Sequence, residues 1–85
     1  MDVYVVTRQL FSVSNGMVYQ ISDNAPVVSC HSKFEDACAI ARDLCRPFGY
    51  IVKVIMGGSD ACSVVAYDED GNAEVAYNVC RQYLY

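Results

Sequence analysis

The chain alternates between short segments with β-strand patterning and a single segment with helical patterning. Val3–Val13 is dense in β-branched and aromatic residues, and in Met17–Ile21 the side chains Met17, Tyr19 and Ile21 alternate with Val18 and Gln20. Asn15 and Gly16 lie between these segments, and both residue types tolerate the positive φ of a tight hairpin turn. The pattern therefore predicts a β-hairpin in the first part of the chain.

Residues 32–48 carry the one clear helical pattern. Apolar side chains recur there at a spacing of about 3.6 residues and fall on one stripe: Phe34, Ala37, Cys38, Ala41, Leu44, Cys45 and Phe48. Ser32 and Glu35 have the spacing of a capping box, in which each side chain satisfies a free backbone N–H at the first turn. Pro47 and Gly49 are typical of a helix end. We therefore predict one amphipathic helix from Ser32 to Phe48.

Three further strands are predicted after the helix. Tyr50–Met56 is apolar at every position except Lys53, which favours a central strand that is buried on both sides. Ser63–Tyr67 and Ala73–Val79 flank a turn at Asp70 and Gly71, and they predict a second hairpin. The last of these strands also fits a helical stripe, so its conformation stays open between strand and helix.

The predicted element order is β-β-(β)-α-β-β-β, in which the strand in brackets is a short segment at Val27–Cys30. The fold class is α+β, a mainly antiparallel sheet of four to five strands with one helix packed on one face. Five strands span roughly 20 Å, whereas a helix with its side chains is ~10–12 Å wide. One helix can therefore cover the middle of one face, and we expect the uncovered apolar surface to meet a partner or a second copy.

Length, composition and charge narrow the classes of function. The 85 residues form one predicted domain (1–85), and 54% of them are hydrophobic, which is rich for a small monomer. Six Lys and Arg stand against ten Asp and Glu, for a net charge of −4. We expect no direct binding to nucleic acid or a membrane, and a protein partner with a basic surface. No apolar run reaches the ~18 residues of a membrane span, and no basic signal-peptide region is present, so we expect a cytoplasmic protein.

The chemistry-bearing residues indicate binding rather than catalysis. The five cysteines contain no C-x-x-C pair and indicate free thiols in a reducing compartment: Cys30, Cys38, Cys45, Cys62 and Cys80. Only Cys30, beside His31 and the helix start, has the setting of a reactive thiolate, so a thiol-based redox protein is one alternative. We identify no catalytic constellation, metal-ligand spacing or cofactor motif, and we expect no enzymatic activity, metal or cofactor.

The candidate partner-binding residues concentrate at the tip of the second predicted hairpin. Acidic side chains at the tip form a knob that suits a basic partner surface. Tyrosine is favoured in surfaces that become buried on association, because it is large, rigid and amphipathic. The predicted contact residues are Tyr4, Tyr67, Asp68, Glu69, Asp70, Glu74 and Tyr77.

The stretch Ala66-Tyr67-Asp68-Glu69-Asp70-Gly71, with the segment order and chain length, resembles a small anti-CRISPR family that acts on type I-F surveillance complexes. Members of that family have an opening strand rich in Tyr, Val and Ile and a Ser-started helix with spaced alanines. The resemblance implies a phage or mobile-element inhibitor that binds the guide-loaded complex and blocks target DNA, with Glu69 and its neighbours in contact. This chain is acidic, whereas that family uses basic side chains for part of its contact. A small homodimeric structural or interaction module is the alternative function.

Overall fold

The computed structural model describes residues 2–14, 16–20, 26–47, 51–58 and 60–83. Along the chain these residues form six strands and one helix: β1 (Asp2–Ser14), β2 (Met17–Gln20), β3 (Val27–His31), α1 (Phe34–Cys45), β4 (Ile51–Met56), β5 (Ala61–Tyr67) and β6 (Ala73–Tyr83). The predicted α+β class, antiparallel sheet and single covering helix are confirmed. The optional strand at Val27–Cys30 is present as β3, so the sheet contains six strands.

The sheet is built around β1, which pairs on both of its sides. One side of β1 pairs with β6 from Asp2 to Leu10. The other side pairs with β3 along Tyr4–Thr7 and with β2 along Phe11–Ser14. The order continues from β6 to β5 and then to β4, and every pairing is antiparallel. The described sheet therefore has β4 at one edge and β2 with β3 at the other.

Both predicted hairpins are confirmed. In the first, Gly16 adopts a φ of 77°, as a tight turn between β1 and β2 requires; the predicted turn residue Asn15 and the strand end at Ile21 lie outside the described residues. In the second, β5 and β6 flank a turn in which Gly71 has a φ of 81°. The last arm, left open between strand and helix, is a strand as far as Tyr83.

Helix α1 is confirmed, but its first turn differs from the prediction. The helix begins at Phe34, and its N-cap is Lys33, which has extended backbone and forms no capping side-chain hydrogen bond. The predicted capping box of Ser32 and Glu35 is therefore wrong, because Ser32 lies one residue before the cap position. The helix ends at Cys45 with Arg46 as its C-cap; the predicted stripe residue Phe48 lies outside the described residues.

The hydrophobic core lies between α1 and the middle strands of the sheet. The helix contributes Ala37, Cys38, Ala41 and Cys45, and their small side chains let it approach the sheet closely. The sheet contributes valines that are essentially inaccessible to water: Val6, Val64, Val75 and Val79. Full burial of a valine is worth roughly 1.5–3 kcal/mol, so these contacts carry much of the stability of a chain this small.

Strand β4 contradicts its sequence-based prediction. The pattern of Tyr50–Met56 favoured a central strand that is buried on both sides, whereas β4 pairs only with β5 and lies at the sheet edge. Five of its six residues are exposed, and only Val52 is half-buried. The apolar run is therefore not explained by burial within this chain. Tyr50, the predicted first residue of the strand, lies outside the described residues.

Candidate protein-binding surface

Of the ten large apolar side chains that are exposed among the described residues, four lie on β4, more than on any other element. These side chains of β4 keep high fractions of their area in contact with water: Ile51 51%, Val54 45%, Ile55 54% and Met56 58%. Alternation along the strand and its register with β5 place Val54 and Met56 on the helix side of the sheet, and Ile51 and Ile55 on the opposite side. The edge is therefore apolar on its helix side, and on the opposite side a single charged residue, Lys53, lies between two apolar ones.

The sequence reasoning missed this surface because it assigned the apolar run to the interior. One signal could have located it. Lys53 interrupts the run at its middle, and a lysine within an apolar strand is typical of an edge, where its ammonium group reaches water. In the structure the Lys53 ammonium nitrogen lies 5.5 Å from the centre of the Tyr67 ring, on the face of the sheet opposite the helix.

The face of the sheet opposite α1 carries no helix among the described elements; Val65 and Ala76 lie on it and are nonetheless only 8% and 3% exposed. Its middle, however, is more polar than the pattern suggested. The Ser63 hydroxyl donates to the Asn78 amide oxygen at 2.6 Å, and the Asn78 amide nitrogen donates to the Gln9 amide oxygen at 3.4 Å. This row of hydrogen-bonded side chains tolerates water, so the expected apolar excess lies at the β4 edge rather than at the centre of the open face.

The acidic residues at the tip of the β5–β6 hairpin have two different roles. One carboxylate oxygen of Asp68 accepts hydrogen bonds from the backbone N–H groups of Asp70 at 3.0 Å and Asn72 at 2.9 Å. Asp68 is half-buried and holds the turn, as aspartate does in Asx turns. Glu69, Asp70 and Glu74 are exposed, and neither ion pair of the described chain involves them. These three carboxylates are available to a basic partner.

The predicted tyrosine contacts separate into one buried and two half-buried residues. Tyr77, predicted as a contact residue, faces α1 from β6 and is only 3% exposed, so in this fold its side chain presents almost no surface to a partner. Tyr4 packs against Phe34, with ring centres 5.6 Å apart, at the border of the core. Tyr67 is half-buried at the end of β5, directly before the acidic tip. Of the three, Tyr67 lies nearest both the tip and β4.

The tip and the β4 edge adjoin one another. Ile51, the first residue of β4, pairs with Tyr67, the last residue of β5. The chain leaves β5 at this point and enters the turn that carries Glu69 and Asp70. The structure thus places an apolar strand edge and an acidic corner side by side, and these two features together define the candidate surface.

Three cysteines, Cys38, Cys45 and Cys62, are buried in the hydrophobic core. The sulfur atoms of Cys38 on α1 and Cys62 on β5 lie 3.0 Å apart, and the Cys45 thiol donates to the Val64 carbonyl oxygen at 3.2 Å. Burial, followed by the hydrogen bond with Cys38, raises the pKa of the Cys62 thiol to about 12. Burial also raises the pKa of Cys45. Both thiols therefore stay protonated and poorly nucleophilic at neutral pH.

Cys30 and His31 are adjacent in the sequence, but their side chains do not come together. The register of β3 against β1 places the two side chains on opposite faces of the sheet. The His31 ring nitrogen Nε2 instead lies 2.9 Å from the Ser29 hydroxyl oxygen. Cys30 is exposed on the face away from the helix. Among the described residues, no three His, Cys, Asp or Glu side chains converge as a metal site would require.

Comparison of the chain with known protein families, with curated proteins and with solved structures finds no match. Within the described residues, no helix combines the length and the apolar character needed to span a membrane.

Proposed function

We propose that this protein is a non-enzymatic protein-binding module whose binding surface is the β4 edge. The observation that carries the proposal is the exposure of Ile51, Val54, Ile55 and Met56 on one short strand. Exposed apolar area is worth about 25 cal/mol per Å² when it is removed from water. Several large apolar side chains exposed on one strand of a small protein are typical of an interaction site.

The backbone of β4 supports the same function. An edge strand presents a row of N–H and C=O groups without a partner on its free side, and an extended segment of another protein can pair with them as an added strand. Main-chain hydrogen bonds then supply affinity, while side chains that alternate between the two faces supply specificity. β4 has apolar exposed residues on both faces, so a strand added there buries apolar surface on each side.

The acidic tip favours a partner with positive charge near its docking strand. Glu69 and Asp70 lie beyond the Ile51 end of β4, and the whole chain has a net charge of −4. Complementary charge accelerates association and excludes partners of the wrong sign more than it adds affinity. We therefore propose that β4 supplies most of the binding affinity and that the acidic tip discriminates between partners by their charge.

The resemblance to type I-F anti-CRISPR proteins supports a narrower version of this proposal. In that version the chain is a phage or mobile-element inhibitor, and its partner is a guide-loaded surveillance complex in the cytoplasm of a bacterial host. The test is target-DNA binding by a purified type I-F complex, measured by mobility shift with and without this protein. Inhibition at near-equimolar protein is expected, and unchanged DNA binding overturns the narrower version only.

A matched pair of double variants tests the broader proposal. Val54→Lys with Ile55→Lys, the β4 edge variant, places two charges on exposed positions of β4. Val27→Lys with Val28→Lys, the β3 edge variant, makes the same charge change on the opposite edge, at residues that are 61% and 41% exposed. Circular dichroism checks that both variants fold.

In pull-downs quantified by mass spectrometry, we expect the β4 edge variant to lose the partner that wild type and the β3 edge variant retain. Equal recovery by all three proteins contradicts the assignment of the surface to β4.

The same exposed edge supports a second candidate, a homodimer in which the β4 strands of two copies pair. Light scattering at micromolar concentration distinguishes the two. A dimer that the β4 edge variant converts to a monomer supports self-association, whereas a wild-type monomer excludes it in that concentration range.

A further inference from the structure

A groove runs between α1 and the exposed edge strand. Its volume is about 340 Å³, at the lower end of the range of small-ligand pockets. It is lined by Phe34, Glu35, Cys38 and Arg42 from the helix and by Val54 and Met56 from β4. Phe34, Cys38 and Arg42 recur at a spacing of four, with Glu35 three residues before Cys38, and the strand residues recur at a spacing of two, so each set belongs to one face of its element.

Contacts across the core show that α1 and β4 run in opposite directions. Cys38 contacts Cys62, whose register partner is Met56. Cys45, two turns later, bonds to the carbonyl of Val64, whose register partner is Val54. The groove therefore follows the second half of β4, where Val54 and Met56 line it. A strand added to β4 would direct every second side chain towards the groove.

The groove has an acid towards one end and a base towards the other. Glu35 lies before Cys38, towards the Met56 end, and Arg42 lies between Cys38 and Cys45, towards the Val54 end. Both side chains are exposed, and within the described residues neither takes part in an ion pair. Seven helical residues separate them along the axis by about 10.5 Å. On an extended strand, same-face residues four apart are separated by about 13 Å, the nearest available match.

The β4 strand of a second copy would offer no charged partner to Glu35 or Arg42. Antiparallel pairing of two β4 strands keeps the faces of the sheet in common, so the partner's helix-side residues would again be those at positions 52, 54 and 56. These are Val52, Val54 and Met56, and none of them carries a charge. The one charged residue of the strand, Lys53, lies on the other face. The groove thus favours a different occupant.

We propose that the groove binds an extended peptide segment of a partner protein that adds to β4 and carries two opposite charges four residues apart. The acidic residue of the segment pairs with Arg42, the basic residue pairs with Glu35, and an apolar residue midway between them fills the space beside Cys38. The two charges fix the direction in which the segment lies. This inference rests on the proposed function, since it specifies the partner chemistry of the same edge.

Selection from a library of random peptides displayed on phage tests the inference directly. Panning on the wild-type protein is expected to enrich sequences in which an acidic and a basic residue flank an apolar residue at the predicted spacing. Panning on Arg42→Glu is expected to replace the acidic position by a basic one. No enrichment on wild type, or enriched sequences without the charge spacing, overturns the inference.

Binding constants of one enriched synthetic peptide supply the controls. We expect Arg42→Glu to weaken binding by at least three-fold, and a peptide with the acidic residue changed to lysine to recover it. Arg46→Glu makes the same charge change beyond the helix end, outside the groove, and should leave the constant unchanged. Circular dichroism confirms folding, and Arg42→Gln replaces Arg42→Glu if the reversal unfolds the protein.

The two proposals fail in different ways. Loss of peptide binding in the β4 edge variant, with no effect of Arg42→Glu, supports the edge as a binding surface and overturns the groove. Peptide binding that depends on Arg42 but not on β4 overturns the strand-addition geometry of the inference. Failure to enrich any peptide leaves the pull-down result of the edge variants to decide the proposed function on its own.

Discussion

Strands β4 and β5 are neighbours with similar apolar composition, but the side chains of β5 are largely buried and those of β4 are largely exposed. Val54 and Val64 face each other across the two strands on the helix side of the sheet. Val64 is completely buried, whereas Val54 is 45% exposed. The reason is that β5 lies between β6 and β4 and under α1, while β4 has a neighbour on one side only. Identical residues on the same face are thus core in one strand and surface in the next.

The comparison separates residues that stabilise the fold from residues whose burial requires another molecule. Apolar side chains on β5 and β6 lose their contact with water when this chain folds. Those on β4 stay exposed in the folded chain, and the proposed complex would remove them from water. Substitutions in the inner strands should therefore affect unfolding, and substitutions in β4 should affect binding.

The largest effect on stability is expected for Tyr77→Ala on β6. This substitution removes a buried aromatic ring from the core and leaves a cavity, at a cost of roughly 3–5 kcal/mol of unfolding free energy. Urea denaturation followed by circular dichroism measures the change. A loss smaller than about 1 kcal/mol would place Tyr77 at the surface, and would restore it as a candidate contact residue.

The facing valines give the sharpest form of the comparison. Val64→Thr buries a hydroxyl group beside the helix and should cost about 1–3 kcal/mol. Val54→Thr, the same change at the paired position on β4, should alter the unfolding free energy by less than about 0.5 kcal/mol. Both variants keep a β-branched side chain, so strand propensity is matched. Equal destabilisation by the two substitutions, measured in urea, would show that β4 is covered.

Alkaline pH should lower the unfolding free energy of the protein because of the buried Cys62 thiol on β5. The pKa of its thiol rises from 9.0 to about 12 on folding, so above pH 9 the unfolded state releases a proton that the folded state retains. The unfolding free energy should therefore fall as the pH rises from 9 towards 12, by up to about 1.4 kcal/mol per pH unit from this group. Cys62→Ala should have a shallower slope than wild type; parallel curves would contradict the assignment.

At the hairpin tip, too, one residue stabilises the fold while its neighbour is exposed to solvent. Asp68→Ala removes the acceptor of two backbone N–H groups and should cost about 0.5–1.5 kcal/mol. Glu69→Ala, one residue further on, should leave stability within about 0.5 kcal/mol, because Glu69 is exposed and unpaired within the described chain. Thermal unfolding of both variants measures the difference. A larger loss for Glu69→Ala would mean that the tip is held differently.

Local patterns predicted the elements well because each signal is carried by neighbouring residues. The stripe from Phe34 to Cys45 identifies α1, and Gly16 and Gly71 identify the two hairpins. The capping box failed because Ser32 and Glu35 have the right spacing, but the helix begins one residue later than that spacing requires. Sequence spacing alone does not distinguish these two starts.

Strand order was beyond the reach of these patterns, because it depends on which distant segments pair. β1 pairs with β6, and this pairing places β4 at the edge although its composition favours the centre. The same limit explains Tyr77. The side chains around Tyr77 on β6 alternate in a way that fits either an exposed or a buried face. The pattern does not show which of the two faces packs against α1.

Amide hydrogen exchange across Ile51–Met56, compared between the free protein and its complex with the recovered partner, tests the central claim most directly. The account predicts rapid exchange of the outward-facing β4 amides in the free protein and strong protection in the complex, with β3 amides unchanged. Protection of β4 that is already complete in the free monomer, or a complex that leaves β4 exchange unchanged, would contradict it.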